Sequence, residues 1–238
     1  MERRQFLSTG TIATTALLAG PGTSRAAAAE GQAAAKPVPG ELKLRPAEGP
    51  MDVAFCISQN SNVIDMAGPW EVFQDVSANG DSAFRLFTVA EKKDSVRATG
   101  GLHLIPDHTF EDAPTPRVVV VPAIRGTEGL WSFLRKMSTE ADLVMSVCTG
   151  AFQLARAGLL DGRNATTHHE FWDEFEKTHP KVKLERGPRY VEHAKVATAG
   201  GLTSGIDLAL RVVERYFDRA TAQATATYME YRGDGWRG

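Results

Sequence analysis

From Met51 onward the chain alternates between short apolar runs of strand length and longer stretches whose apolar residues recur at helical spacing. The segments "MDVAFCI" (51–57), "AFRLFTVA" (83–90), "VVVV" (118–121) and "DLVMSV" (142–147) read as strands. Val118–Val121 is β-branched throughout and stops at Pro122, as a strand covered on both faces does. Between them, "GPWEVFQDVSA" (68–78) is expected as a helix with Pro69 near its first turn, where a missing N–H costs little. "EGLWSFLRKM" (128–137) is an amphipathic helix, and "TGAFQLARAG" (149–158) is a helix that closes at Gly158. "NATTH" (164–168) is expected to return as a strand before a helix over "EFWDEFEKTHP" (170–180). "RYVEHAKVATA" (189–199) reads as two strand segments around Glu192 to Lys195. In "SGIDLALRVVERYF" (204–217), Ile206, Leu208, Leu210, Val213 and Phe217 lie largely on one side of a long helix.

Alternating strands and helices, with strands too apolar for a one-sided sheet, imply an α/β fold: a mostly parallel sheet sandwiched by helices. There is no internal repeat and no second composition regime after residue 50, so one domain is expected over 51–238. Residues 26–50, "AAAAEGQAAAKPVPGELKLRPAEGP", are rich in Ala, Gly and Pro without a sustained period, which reads as the end of a leader and a flexible linker (30–50). The start, Arg3-Arg4-Gln5-Phe6-Leu7 followed by an uncharged run from Ser8 to Gly20 and Ala-rich sequence to Ala29, has the arrangement of a twin-arginine signal peptide (1–29). The run is too short and too rich in Thr and Gly to span a bilayer. Export to the periplasm or beyond is the expectation, without stable membrane insertion once the signal is removed.

With 42% hydrophobic and 24% charged residues among 238, the composition is that of a globular protein. A formal charge of −2 argues against phosphate neutralisation on a large scale, and Lys92-Lys93 and Arg186/Arg189 are too short for a nucleic-acid stripe. No nucleic-acid partner is expected. Removing residues 1–29, which carry three Arg and one Glu, leaves the rest at −4.

The chain has two cysteines. Cys56, inside "VAFCIS", reads as a small buried hydrophobe. Cys148 sits at the seam between a strand and a helix, hence at the carboxyl edge of the sheet where such folds bind ligands. A helix N-terminus there would lower the thiol's pKa, and Gly150 would permit a tight turn. Asp65, in "NVIDMAGPWEVF", follows the first strand and reaches the same edge, either as a helix cap or as a proton donor facing the thiol. Because disulfides persist outside the cytoplasm, a Cys56–Cys148 bridge stays open on sequence grounds.

"SVCTGAFQLARAGLLDGRNATTH" and "GGLTSGIDLALRVVERYF", in order with "VIDMAGPWEVF", resemble the ThiJ/PfpI superfamily, over roughly Met51 to Phe217. The resemblance points to the branch holding isonitrile hydratases and the sensor domains of AraC-type regulators. It implies a flavodoxin-like, class I glutamine-amidotransferase-like fold, with Cys148 as nucleophile, Asp65 as the carboxyl that meets it and Thr149 as the residue beside it. His168 falls on a histidine near the pocket in relatives, and Ala123, Ile124 and Gly150 would border it. Protease-like members tend to have His where this chain has Thr149, so peptidase activity is not expected. The usual Pro-Gly-Gly after the central strand is replaced by Pro122-Ala123-Ile124-Arg125-Gly126, which alters an anion hole built from those amides. Arg125 is either a surface arginine or a ligand for an anion.

The implied activity is hydration of a small molecule such as an isonitrile to an N-substituted formamide. The alternatives are a non-catalytic binding or sensor domain and a thiol-based stress or deglycation protein. Arg219–Gly238 is too short for a helix-turn-helix domain. No cofactor is expected, nor a metal, since His168-His169-Glu170 lacks the spacing of a helical zinc pair. His103, His108, His179 and His193 are isolated. Trp70, Trp131 and Trp172 read as core or interface, Trp236 as part of an unstructured tail. A homodimer is the default assembly of relatives.

Overall fold

The computed structural model describes residues 42–78 and 80–238. Residues whose side chains alternate between two apolar surroundings form its centre. These are strands β1 (Met51–Cys56), β2 (Phe84–Ala90), β3 (His108–Thr109), β4 (Val118–Val121), β5 (Leu143–Ser146), β6 (Tyr190–Glu192) and β7 (Val196–Ala199). They build a seven-stranded sheet in the order β6-β7-β5-β4-β1-β2-β3, parallel apart from β6 against β7. Every residue of β4 and β5 is buried. Val53, Phe55, Val118, Val120 and Met145 point to one core, and Ala54, Cys56, Val119, Val121 and Val144 to the other. The two-sided sheet expected from the apolar runs is thereby met.

Helices α1 (Val63–Gln74), α5 (Ser204–Tyr216) and α6 (Arg219–Tyr228) contribute Phe73, Leu208, Val212 and Ala222 to the first core. Helices α2 (Glu128–Glu140), α3 (Gly150–Arg156) and α4 (Trp172–Thr178) contribute Leu130, Leu134, Leu154 and Phe175 to the second. α2 starts where Thr127 Oγ1 accepts from the Leu130 amide at 3.2 Å. None of the described helices is long and apolar enough to cross a membrane.

Several boundaries differ from expectation for local reasons. α1 begins at Val63 rather than Gly68, because Asn62 caps it by accepting from the Ile64 amide. Pro69 therefore lies inside the helix and leaves the Asp65 carbonyl without its helical partner. The helix stops at Gln74, and Ser77–Ala78 pairs instead with Asp81–Ser82. Only Asn164–Ala165 of "NATTH" is extended, and it pairs with Lys183–Leu184 outside the main sheet. A 3-10 turn over His169–Phe171 precedes α4.

The carboxyl end is built, not loose. Asp218 Oδ1 accepts from the Thr221 amide at 2.7 Å and starts α6, an element whose sparse apolar pattern gave no sequence signal. Beyond it Trp236 is 1% exposed in the first core. Tyr190 donates its hydroxyl to the Trp236 carbonyl at 3.1 Å, and Tyr231 donates to Asp207 Oδ1 at 2.9 Å. Trp236 is thus a core residue and not part of a free tail. At the other end Leu42 is buried, Arg215 Nε donates to its carbonyl at 2.7 Å, and the Leu44 amide donates to the Arg215 carbonyl at 2.9 Å. Residues 42–44, within the span read as a flexible linker, are consequently seated on the domain. The signal-peptide reading of residues 1–29 and residues 30–41 of the linker lie outside the described residues.

Removing the indole of Trp236 leaves a large void under α5. Trp236→Ala should lower the unfolding free energy by about 3–5 kcal/mol in urea titrations. A loss below about 0.5 kcal/mol, the level of a surface change, would show the tail to be dispensable.

Candidate active site

The ends of β1, β4, β5 and β7 lie together at the carboxyl edge of the sheet, and the turn after β5 is bonded to two of its neighbours. The Val147 amide donates to the Val121 carbonyl at 3.0 Å and the Cys148 amide to the Gly200 carbonyl at 2.8 Å, pinning the turn to the ends of β4 and β7. Cys148 itself adopts φ of 58°, a left-handed conformation that costs a side-chain-bearing residue about 1–2 kcal/mol. Thr167 donates its hydroxyl to the Cys148 carbonyl at 2.9 Å. Gly150 is required: a Cβ there would lie 2.1 Å from the Val121 carbonyl oxygen and 2.7 Å from that of Pro122. Strain at a cysteine, held by bonds to three neighbouring segments, is the kind found where function demands a fixed side-chain direction.

Asp65, in the first turn of α1, is fully buried. Its Oδ2 accepts from the Ala123 amide at 3.0 Å, and the Asn62 amide donates to the Ala123 carbonyl at 3.0 Å, tying the start of α1 to the loop after β4. Oδ1 has no hydrogen-bond partner of normal geometry among the described residues. The Cys148 thiol and the Leu202 amide also act on this carboxyl, both favouring its charged form. Leu202, at φ of 53°, is a second left-handed residue with a side chain, and its amide also faces Cys148. Sequence reasoning missed Leu202, since nothing in "AGGLTSG" marks which residue after the glycines turns its N–H inward.

Electrostatically the pair differs from expectation. Burial pushes the Asp65 carboxyl up to about 6, against the pull of Ala123, Cys148 and Leu202. Burial, and then the charge of Asp65, push the Cys148 thiol up to about 12, while the Thr149 and Leu202 amides pull it down more weakly. The expected lowering by a helix N-terminus is therefore overturned. α3 begins only at Gly150 and is seven residues long, and the cost of an anion on the buried Cys148 beside a carboxylate exceeds what two amides return. Near neutral pH the proton rests on sulfur and the charge on Asp65. The two cysteines are both free, with Cys56 in the opposite core from Cys148. The bridge left open by the sequence is absent because the sheet separates them.

The other expected site residues divide. Ala123 serves Asp65, and the Arg125 amide donates to Ser58 Oγ at 3.0 Å, so neither amide is free for an anion hole. His168 makes no hydrogen bond to Cys148 or Asp65. Its Nδ1 accepts from the Glu170 amide at 3.2 Å, and its ring rests on Gly201, where a Cβ would come within 2.0 Å. It props the loop that carries Leu202. Thr149 and Ile124 line a neighbouring cavity of about 330 Å³, together with Phe152 and Phe171. Neither Cys148 nor Asp65 is among its lining residues. Trp131, expected in the core or an interface, forms part of the wall.

Residues 51–215 match the sequence profile of the DJ-1/PfpI family. Isonitrile hydratase of Pseudomonas putida is 31% identical over 187 residues, covering 76% of this chain and 78% of that protein. The HTH-type transcriptional regulator GbdR of Pseudomonas aeruginosa is 26% identical over 188 residues, 76% of this chain, which spans 51% of the regulator's length. Among solved structures, a ThiJ/PfpI family protein from Pseudomonas syringae superposes with a TM-score of 0.68 at 26% identity, over 86% of this chain and 84% of the other.

The raised carboxyl has a stability signature of definite sign. A group with higher proton affinity in the native state stabilises fully below its unfolded pKa, and that contribution is lost as pH rises to the native value. Asp65→Asn removes the titration. Relative to the parent, this variant should gain about 3 kcal/mol between pH 4 and 6 and no more above that. Chemical denaturation across this range checks it, and a difference that is flat or shrinks with pH would refute the assignment.

Proposed function

As the chain belongs to the DJ-1/PfpI family, we propose that it is a cysteine-dependent hydratase that converts a small isonitrile to an N-substituted formamide. The single observation behind this reading is the buried pairing of Cys148 with Asp65, a protonated thiol against an ionised carboxyl. An isonitrile is hydrated by adding both a nucleophile and a proton at one carbon. A thiol whose proton is within reach of a carboxylate provides both from one place. The similarity to isonitrile hydratase supports the same reading.

In the first step Asp65 accepts the thiol proton as Sγ of Cys148 bonds to the terminal carbon. Asp65 returns that proton to the same carbon, giving an S-bound thioimidate in which carbon carries sulfur, hydrogen and a double bond to nitrogen. Asp65 next takes a proton from water as the oxygen adds to this carbon and passes that same proton to nitrogen, leaving a neutral tetrahedral adduct and an ionised Asp65. The C–S bond then breaks, the carbonyl of the formamide forms, and the hydroxyl proton returns to sulfur by way of Asp65. No oxyanion forms in the first step. That suits a site whose Ala123 and Arg125 amides are already committed. Thr149 stands next to the sulfur, with its side chain on the cavity wall.

The rival is a ligand-binding module without chemistry, favoured by the slight exposure of the sulfur and by the similarity to a regulator. Turnover separates the two. Protein comprising residues 30–238 should convert cyclohexyl isocyanide to the formamide, Cys148→Ala should abolish conversion, and Asp65→Asn should reduce kcat by at least about 100-fold. In the parent, kcat/KM should fall as pH drops below about 6, where Asp65 holds its own proton and cannot accept one from the thiol. Undiminished turnover in Cys148→Ala would end the covalent proposal, and binding without turnover would favour the module.

The same reading places the reaction outside the cytoplasm, on the strength of Arg3-Arg4 and the run that follows. Arg3→Lys with Arg4→Lys should retain the full-length protein in the cytosolic fraction. Unchanged export would remove the twin-arginine route.

A further inference from the structure

We propose that the cavity beside Thr149 is a binding site for a small aromatic carboxylate, held between the guanidinium groups of Arg125 and Arg156. Both arginines line this space of about 330 Å³, a volume suited to a single small ring with an acidic group. Neither makes an ion pair among the described residues, whereas nearby Arg135 is engaged by Glu128, and Arg186 by Asp173 and Glu176. Two guanidiniums without an ion pair among the described residues, on the wall of one cavity that also carries aromatic surface, can serve as a fork for a carboxylate.

The walls are built to hold that geometry. Gln153, nearly buried, accepts from the Trp131 indole N–H at 2.9 Å and donates to the Ile124 carbonyl at 3.2 Å, so one side chain fixes both the ring and the loop carrying Arg125. Gly126 lets the loop close on them, since a Cβ there would lie 2.1 Å from Gln153 Oε1 and 2.9 Å from the indole. Arg156 lies over the Trp131 ring, 5.5 Å from its centroid, which limits the directions it can take. Phe152 and Phe171 supply flat apolar surface for the remainder of the ligand.

Charge balance sets the class further. Glu174 is the one carboxylate on the wall, against two guanidiniums, leaving a single positive charge to be met. That favours a monoanion over a phosphate dianion. In one respect the inference rests on the hydratase reading: because Thr149 adjoins Cys148, the occupant would be the acidic end of the substrate, making acid-bearing isonitriles the preferred class. Binding itself does not depend on that reading.

The test is calorimetric titration of the domain and of Cys148→Ala with phenylacetate, phenylacetamide and inorganic phosphate. Phenylacetate should bind at least about 10-fold more tightly than the amide or phosphate, in both proteins. Arg125→Gln and Arg156→Gln should each weaken phenylacetate about 5–10-fold without changing the amide, Glu174→Gln should strengthen it, and Arg135→Gln should leave it unchanged. Both cavity arginines are exposed, so the variants should fold, which circular dichroism checks. Equal affinity for acid and amide, tighter binding of phosphate, retention of affinity in the double arginine variant, or no saturation up to about 10 mM would each overturn the proposal. Since Cys148→Ala is titrated alongside, loss of turnover and loss of carboxylate binding are read separately.

Discussion

A carboxyl and a thiol buried against each other will hold one negative charge between them far more readily than two, and the rest of the site follows from where that charge rests. Burial raises both groups, the charge of Asp65 opposes ionisation of the thiol, and the hydrogen bond of the neutral thiol favours the carboxylate. The carboxyl, with the lower intrinsic pKa and a direct hydrogen bond from the Ala123 amide, takes the charge. Sulfur keeps the proton. A thiol activated in this way is not a standing thiolate, open to any electrophile or oxidant, but one that becomes nucleophilic only as its proton moves to Asp65. The arrangement suits substrates that need a proton delivered where sulfur attacks.

Holding the pair requires the fold to bring together residues distant in the chain and to tolerate strain where they meet. Cys148 in a left-handed conformation is stabilised by backbone bonds to the ends of β4 and β7, and Gly150 allows the turn to lie flat against the carbonyls of Val121 and Pro122. Asp65 is set by close packing of its helix as much as by its own bonds. At Gly68 a Cβ would come 2.9 Å from Ile206 Cγ1, and at Gly205 one would come 2.9 Å from Val147 Cγ2. α1 and α5 thus approach through Gly68 and Gly205, the latter also packed on Val147, the residue preceding the nucleophile. The parallel sheet fixes three strand ends, and the helices complete the enclosure.

The strands were legible because parallel strands buried on two faces have no polar alternation to confuse their reading, and Val118–Val121 is the plainest case. The placement of Cys148 at the seam and Asp65 at the matching position followed from that same reading. What was not legible depended on contacts distant in sequence. The start of α1 turned on a hydrogen bond from the Ile64 amide to the Asn62 side chain that competed with the stronger local signal of Pro69. Trp236 gave no local sign of burial, since the core it enters is made by residues on other elements. The sign of the thiol's shift was misread because a helix N-terminus shows in a sequence and desolvation does not. Leu202 carries its function on a backbone amide, to which its side chain is irrelevant.

The separation between the buried pair and the two arginines next door has its own physical reason. Asp65 can accept the thiol's proton only while its affinity for protons is raised, and a guanidinium beside it would hold the carboxyl ionised and remove that affinity. Among the described residues, no cationic side chain ranks with the groups that set the state of Asp65 or Cys148. Arg125 and Arg156 stand instead in the cavity that Ile124 and Thr149 border, where solvent screens them and an anion can reach them. Positive charge for recognition and a charge-poor interior for proton transfer are incompatible at one point in space. Placing them on either side of Thr149 lets one loop after β4 reach both, with the Ala123 amide on the Asp65 carboxyl and Arg125 on the wall of the cavity.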